Sequence, residues 1–136
     1  MLKDLMTPLE RAKAMGAKVI LPEDNTADLG IGGWSIDNAA SLTECKKEVG
    51  HLTKIMGNVD PGVVMYNGTP LDVKLKTLQC IKDGFDSPKG YVVMSGCSLP
   101  VDTPLENISA MMDIVREVGY PVTLDKIENL MEKYKS

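Results

Sequence analysis

The segment YVVMSGCSLPVDTP, residues 91–104, delivers Cys97 at the point where a short apolar run gives way to a polar loop. A thiol in that position can be a packed side chain, a redox group or a metal ligand, and its partners decide which. Nucleophilic use requires a nearby base, usually a histidine, to generate the thiolate. The chain has one histidine, His51, just before another apolar run. A zinc site needs about four Cys, His or carboxylate donors converging on one point. Cys45 and Cys80 both fall inside helical patterns and read as semi-buried helix residues. The carboxylates Asp37, Asp60 and Asp102 could act as acid/base groups, although aspartates in such loops more often cap the following turn. Asn58 and Asp60 are the most suggestive polar pair, because Gly57 and Pro61-Gly62 fix a tight turn around them. That motif, GNVDPG, lacks both the Gly-x-Gly-x-x-Gly spacing and the lysine of a phosphate-binding loop.

These side chains need elements to position them. Thr7 to Met15 reads as a helix with Pro8 at its first position and Gly16 as its stop. KVIL (18–21), WSID (34–37), LTKIM (52–56) and YVVM (91–94) read as short apolar strands. Between them, Ser41 opens a helix with Glu44 at the capping-box offset, and Gly50 ends it. Thr69-Pro70 opens a helix to about Asp83, stopped by Gly84. Thr103-Pro104, with Glu106 at the capping-box offset, opens one to about Val118, and Thr123 precedes a last helix over about 125–135. Alternation of buried strands and helices predicts an α/β fold of short parallel strands with crossover helices.

Right-handed crossovers place every loop that follows a strand on one edge of the sheet, where α/β proteins keep their chemistry. The groups expected there are Pro22-Glu23-Asp24, Asp37-Asn38, Asn58 to Asp60 and Ser95 to Ser98. His51 falls at the other edge, roughly 17–20 Å from Cys97 across a five- to six-residue strand, so the two should not share a metal. The first crossover is anomalous. A parallel connection needs a dozen or more residues including a helix, and the stretch between Leu21 and Trp34 holds Gly32-Gly33 and little room for one.

Bulk properties narrow the classes. The 136 residues suffice for one domain with a real core. A net charge of −4 and the lack of any basic block argue against nucleic acid. No apolar run reaches the ~18 residues of a membrane span. The N-terminal sequence lacks the apolar core of a signal peptide. Three widely spaced cysteines suit a reducing compartment, so cytoplasm is the expected location.

Two stretches, IMGNVDPGVVMYNGTPLDV (55–73) and YVVMSGCSLPVDTPLENISAMMDIVREVG (91–119), together resemble the C-terminal half of the uroporphyrinogen decarboxylase family. The family includes cobalamin-dependent methyltransferases of the methylcobamide:coenzyme M type. The resemblance is clear over 31–119 and looser in KAMGAKVIL (13–21), with 1–30 divergent or shortened and 120–136 a C-terminal helix. It implies one domain over 1–136, four βα units like the C-terminal half of a TIM (β/α)8 barrel. In the decarboxylase branch the position of Cys97 is generally a histidine. In the methyltransferase branch it is a cysteine that completes a zinc site, and the zinc activates an acceptor thiol. The resemblance therefore implies a truncated corrinoid methyltransferase, with Cys97 as metal ligand and Asn58, Asp60, Asp37 and Gly96 lining the pocket. Methylcobalamin would arrive on a partner corrinoid protein, and methyl would pass to a thiol or folate. The His-x-Cys motif that supplies the other zinc ligands is missing after KVIL, where PEDN stands instead. The alternative is a non-catalytic remnant or partner subunit; porphyrinogen decarboxylation ranks third. Half a barrel leaves open edges, which predicts a homo-oligomer or a complementary half-barrel chain.

Overall fold

The computed structural model describes the backbone of residues 17–20 and the whole of residues 32–136. The expected first helix, Thr7 to Met15, and the segment Pro22-Glu23-Asp24 lie outside the described residues. Strands β1 (Ala17–Ile20), β2 (Gly33–Ile36), β3 (Ile55–Met56) and β4 (Tyr91–Val92) form one sheet in the order β1-β2-β3-β4. Helix α1 (Leu42–Val49) joins β2 to β3. A π-helical turn (Pro61–Tyr66) and α2 (Pro70–Gly84) join β3 to β4, and α3 (Leu105–Val118) and α4 (Leu124–Lys135) complete the chain.

β2, β3 and β4 are mutually parallel, as the alternation of strands and helices requires. β1 is not: it runs antiparallel to β2, with Ala17 opposite Ile36 and Ile20 opposite Gly33. The expectation of four parallel strands is corrected here to three. The physical reason is the short connection already noted, which cannot carry a crossover helix but can return the chain antiparallel. β1 consequently ends beside the start of β2, with Ile20 opposite Gly33.

Local signals account for most of the helices. Ser41 accepts the Glu44 backbone N–H at 3.3 Å to start α1. Thr69 and Asp72 make a full reciprocal capping box, with Pro70 at the first helical position of α2. Thr123 caps α4 through the Lys126 N–H. Two readings need correction. Thr103 Oγ1 donates to the Pro100 carbonyl at 2.7 Å and does not cap α3, which begins behind Pro104 without a side-chain cap. Gly84 does not stop α2 but is its last residue, and a Cβ there would meet the Tyr91 ring at 2.7 Å.

The core has two parts. Trp34, Ile36 and Ile55 from the sheet pack with Leu42, Cys45 and Val49 of α1 and Val73 and Cys80 of α2. Leu78, Ile81, Ile114, Val118 and Ile127 then lock α2, α3 and α4 together. Each such aliphatic side chain contributes about 1.5–3 kcal/mol on burial, so the helical layer is a firm base for the sheet edge. Among the described residues no helix is long and apolar enough to cross a membrane.

Candidate functional site

The loops that follow β2, β3 and β4 meet at one edge. After β2, Asp37 Oδ1 accepts the Ala39 N–H at 2.9 Å and bends the chain toward α1. After β3, Gly57 has φ +133°, and a Cβ there would lie 2.7 Å from the Ile36 carbonyl oxygen, so only glycine suits the position. Asn58 follows, 6% exposed. Its Nδ2 donates to the carbonyls of Asp37 at 3.0 Å and Ala40 at 2.7 Å. Its Oδ1 accepts the Cys80 thiol at 3.6 Å. The Asn58 side chain thus ties the first loop, through Nδ2, to α2, through Oδ1.

Asp60 is similarly committed. Oδ1 accepts the N–H groups of Gly62 and Val63 at 2.8 and 2.7 Å, capping the π-helical turn, and Oδ2 accepts Asn38 Nδ2 at 2.9 Å. Asn107, from the first turn of α3, donates to the carbonyls of Met65 and Gly68 at the far end of that turn. After β4, Val59 bridges to Ser95, and the Gly96 N–H donates to the Val59 carbonyl at 2.8 Å. Gly96 packs so closely on the first loop that a Cβ would fall 2.5 Å from the Asn38 nitrogen. Cys97 follows, half-buried, its carbonyl accepting the Ser95 hydroxyl at 2.6 Å.

The structure therefore brings Asp37, Asn58, Asp60, Gly96 and Cys97 to one edge, and it gives Asn58 and Asp60 structural partners there. Asp102 lies exposed in the turn before α3. His51 is exposed in the turn between α1 and β3, at the other end of the sheet. Cys45 is fully buried, and burial, reinforced by the charge of Glu44, raises its thiol to about 11. Burial also raises the Cys80 thiol. Tyr91, whose hydroxyl donates to the Gly57 carbonyl, is likewise raised by burial.

Two of these roles have no local signature. The Asn38–Asp60 and Cys80–Asn58 contacts each span 22 residues, and helix patterning places Cys80 on α2 without saying what its thiol meets. Among the described residues no three His, Cys, Asp or Glu side chains gather closely enough to hold a metal.

Comparison with known proteins places the chain in a family. A methylated-thiol–coenzyme M methyltransferase of Methanosarcina mazei is 32% identical over 104 residues, which is 76% of this chain and 26% of the relative. A uroporphyrinogen decarboxylase of Paraburkholderia phytofirmans is 26% identical over 92 residues, 68% of this chain and 24% of the relative. The chain thus spans about a quarter of the length of these curated relatives. A solved structure, a methyltransferase from Methanosarcina mazei, superposes with a TM-score of 0.58 at 26% identity, covering 66% of this chain and 26% of that one. Residues 12–118 match the family uroporphyrinogen decarboxylase (URO-D), and with that match spanning most of the sequence, the chain belongs to the URO-D family.

Proposed function

We propose that this chain is a shortened member of the methyltransferase branch of the family, and that its chemistry is methyl transfer from a methylated corrinoid to a thiol or folate acceptor. The observation that carries the reading is Cys97, a half-buried thiol in the loop after β4, next in sequence to Gly96, which packs on Asn38 of the Asn38–Asp60 pair. The methyltransferase relative at 32% identity supports the same branch. Asn58 and Asp60 hold the loops that shape this edge, with Asp37 and Gly96 at its rim. In this reading Cys97 is one zinc donor, and the remaining donors come from outside the described residues. A corrinoid protein presents the methyl group.

A second reading rests on the donor count at this edge. A chain that offers one thiol and spans a quarter of its relatives can serve as a non-catalytic subunit that binds a corrinoid protein. A porphyrinogen-decarboxylating role draws on the family match and on decarboxylase relatives at lower identity, such as that of Paraburkholderia phytofirmans at 26%.

The test is zinc content of the purified chain, with and without Cys97→Ala, followed by transfer of methyl from methylcobalamin to a small thiol. Zinc bound near one equivalent per site and lost in the variant, with turnover, supports the first reading. Cys97-dependent zinc without turnover supports the subunit, and no Cys97-dependent zinc overturns the methyltransferase assignment.

A further inference from the structure

The three loops that meet at the candidate site carry charge of one sign. Residues 37–41, 57–69 and 95–104 hold Asp37, Asp60 and Asp102, and no lysine, arginine or histidine. Asp37 and Asp60 are half-buried, and their hydrogen-bond partners are neutral. Asp37 accepts the backbone N–H of Ala39. Asp60 accepts those of Gly62 and Val63 and the side-chain amide of Asn38. The described ion pairs lie in the helical layer, among them Lys82–Glu128 between α2 and α4 and Lys133–Glu117 between α4 and α3. Among the described residues, then, no cation offsets the carboxylates of this edge.

Cys97 sits in the field of those carboxylates. Its neighbour Gly96 packs on Asn38, where a Cβ would fall 2.5 Å from the backbone nitrogen. Asn38 is joined to Asp37 by the chain and to Asp60 by its side chain. With ~3.8 Å between consecutive Cα atoms, the backbones of Cys97 and Asp37 lie within roughly 10 Å, about one Debye length at 0.1 M salt. We infer that the methyl acceptor at this edge is a thiol without negative charge, neutral or cationic, and that Asp37 and Asp60 turn away acceptors bearing a carboxylate or sulfonate. The inference rests on the methyl-transfer reading for its chemistry, while its electrostatics belong to the loops themselves. It narrows that reading, since a folate brings carboxylates with it. The two aspartates need not touch the acceptor, because juxtaposing like charges is enough to reject a competitor. Any metal-bound thiolate is drawn in through its sulfur whatever its tail, so the discrimination falls on the tail.

The test uses the whole purified chain, freed of metal with EDTA, and two thiol reagents of similar size and opposite charge, 2-aminoethyl and 2-sulfonatoethyl methanethiosulfonate. Their rate ratio at Cys97, read by peptide mass and divided by the same ratio for free 2-mercaptoethanol, reports the potential at the thiol. The normalised ratio should favour the cation at least about fivefold at ~20 mM salt and approach unity at ~1 M salt. Asp37→Asn and Asp60→Asn keep an oxygen for the same backbone N–H groups, and each should lower the ratio about twofold. A ratio near unity at low salt, or one favouring the anion, overturns the inference. So does a ratio that neither variant lowers, or a Cys97 that neither reagent labels. Methyl transfer from methylcobalamin is read separately, with zinc supplied, to cysteamine, 2-mercaptoethanol and 3-mercaptopropionate, and rates are compared per thiolate. Faster transfer to 3-mercaptopropionate than to the other two overturns the inference. No transfer to any of the three, with the ratio intact, overturns the methyl-transfer reading while the exclusion of anions by Asp37 and Asp60 stands.

Discussion

Asn38 donates from its side-chain amide to Oδ2 of Asp60 at 2.9 Å, tying the loop after β2 to the loop after β3 across 22 residues. The other oxygen of Asp60 holds two backbone N–H groups of the π-helical turn. Asp60 is therefore first a clamp between two loops. Asp60→Ala should cost about 2 kcal/mol, a lost cap plus a lost hydrogen bond to a carboxylate. Asp60→Asn keeps an oxygen for the cap and should cost about half as much. Urea unfolding followed by the fluorescence of Trp34, the only tryptophan and a buried one, gives both values.

Asn58 should matter more. Its removal takes from the Ala40 carbonyl and the Cys80 thiol the amide partner that Asn58 gives them, and leaves the Asp37 carbonyl with the Ala40 N–H alone. Asn58→Ala is expected to lose about 2–3 kcal/mol, the desolvation cost of stranded polar groups. Cys80→Ala should lose about 1–2 kcal/mol, since it removes little more than a methyl-sized volume and one weak donor. Because the two side chains touch, the double variant should lose less than the sum. Strict additivity in the same urea series would show that the thiol contact contributes nothing.

These two sites show what the sequence reveals and what it hides. Ser41, Thr69 and Thr123 announce three helices because a cap is a local device, read from residues three apart. Thr103 and Glu106 carry the same spacing, yet Thr103 turns back to Pro100, since the chain arriving from the Cys97 loop offers a nearer acceptor. The direction of β1 is not local at all. An apolar run such as KVIL specifies burial but not which way it crosses its neighbour, and only the short connection hinted that parallel pairing was strained. Strand-end loops put Asp37, Asn58, Asp60 and Cys97 on one edge in advance. Which of them would be tied up in hydrogen bonds depended on contacts 18 to 22 residues apart.

Gly96 is a close-contact glycine at the candidate site. A Cβ would lie 2.5 Å from the Asn38 nitrogen and 3.0 Å from its Cβ, so the loop carrying Asn38 has to move. Gly96→Ala should destabilise by about 1–3 kcal/mol, the usual cost of overpacking. It should also displace Asn38 from Asp60. Amide chemical shifts of Asn38, Gly62 and Val63 would report this directly. Unchanged shifts in a folded variant would mean that the loop yields without disturbing the clamp.

The three thiols should separate by reactivity and by pH. Cys45 and Cys80 are buried and held protonated, whereas Cys97 is half-buried at the sheet edge. In native protein at pH 8, iodoacetamide should label Cys97 well before the other two, as read by peptide mass. Cys45 also ties stability to pH. Its pKa rises from 9.0 to about 11 on folding, so between those values the folded state holds a proton that the unfolded state has released. The stabilising contribution is therefore complete below pH 9, declines as pH rises, and is gone above about 11. Cys45→Ala loses packing at every pH but should flatten this alkaline limb. A variant whose urea midpoint fell between pH 9 and 11 as steeply as that of the native chain would assign the limb to other groups, such as the raised Tyr91 hydroxyl or the Cys80 thiol.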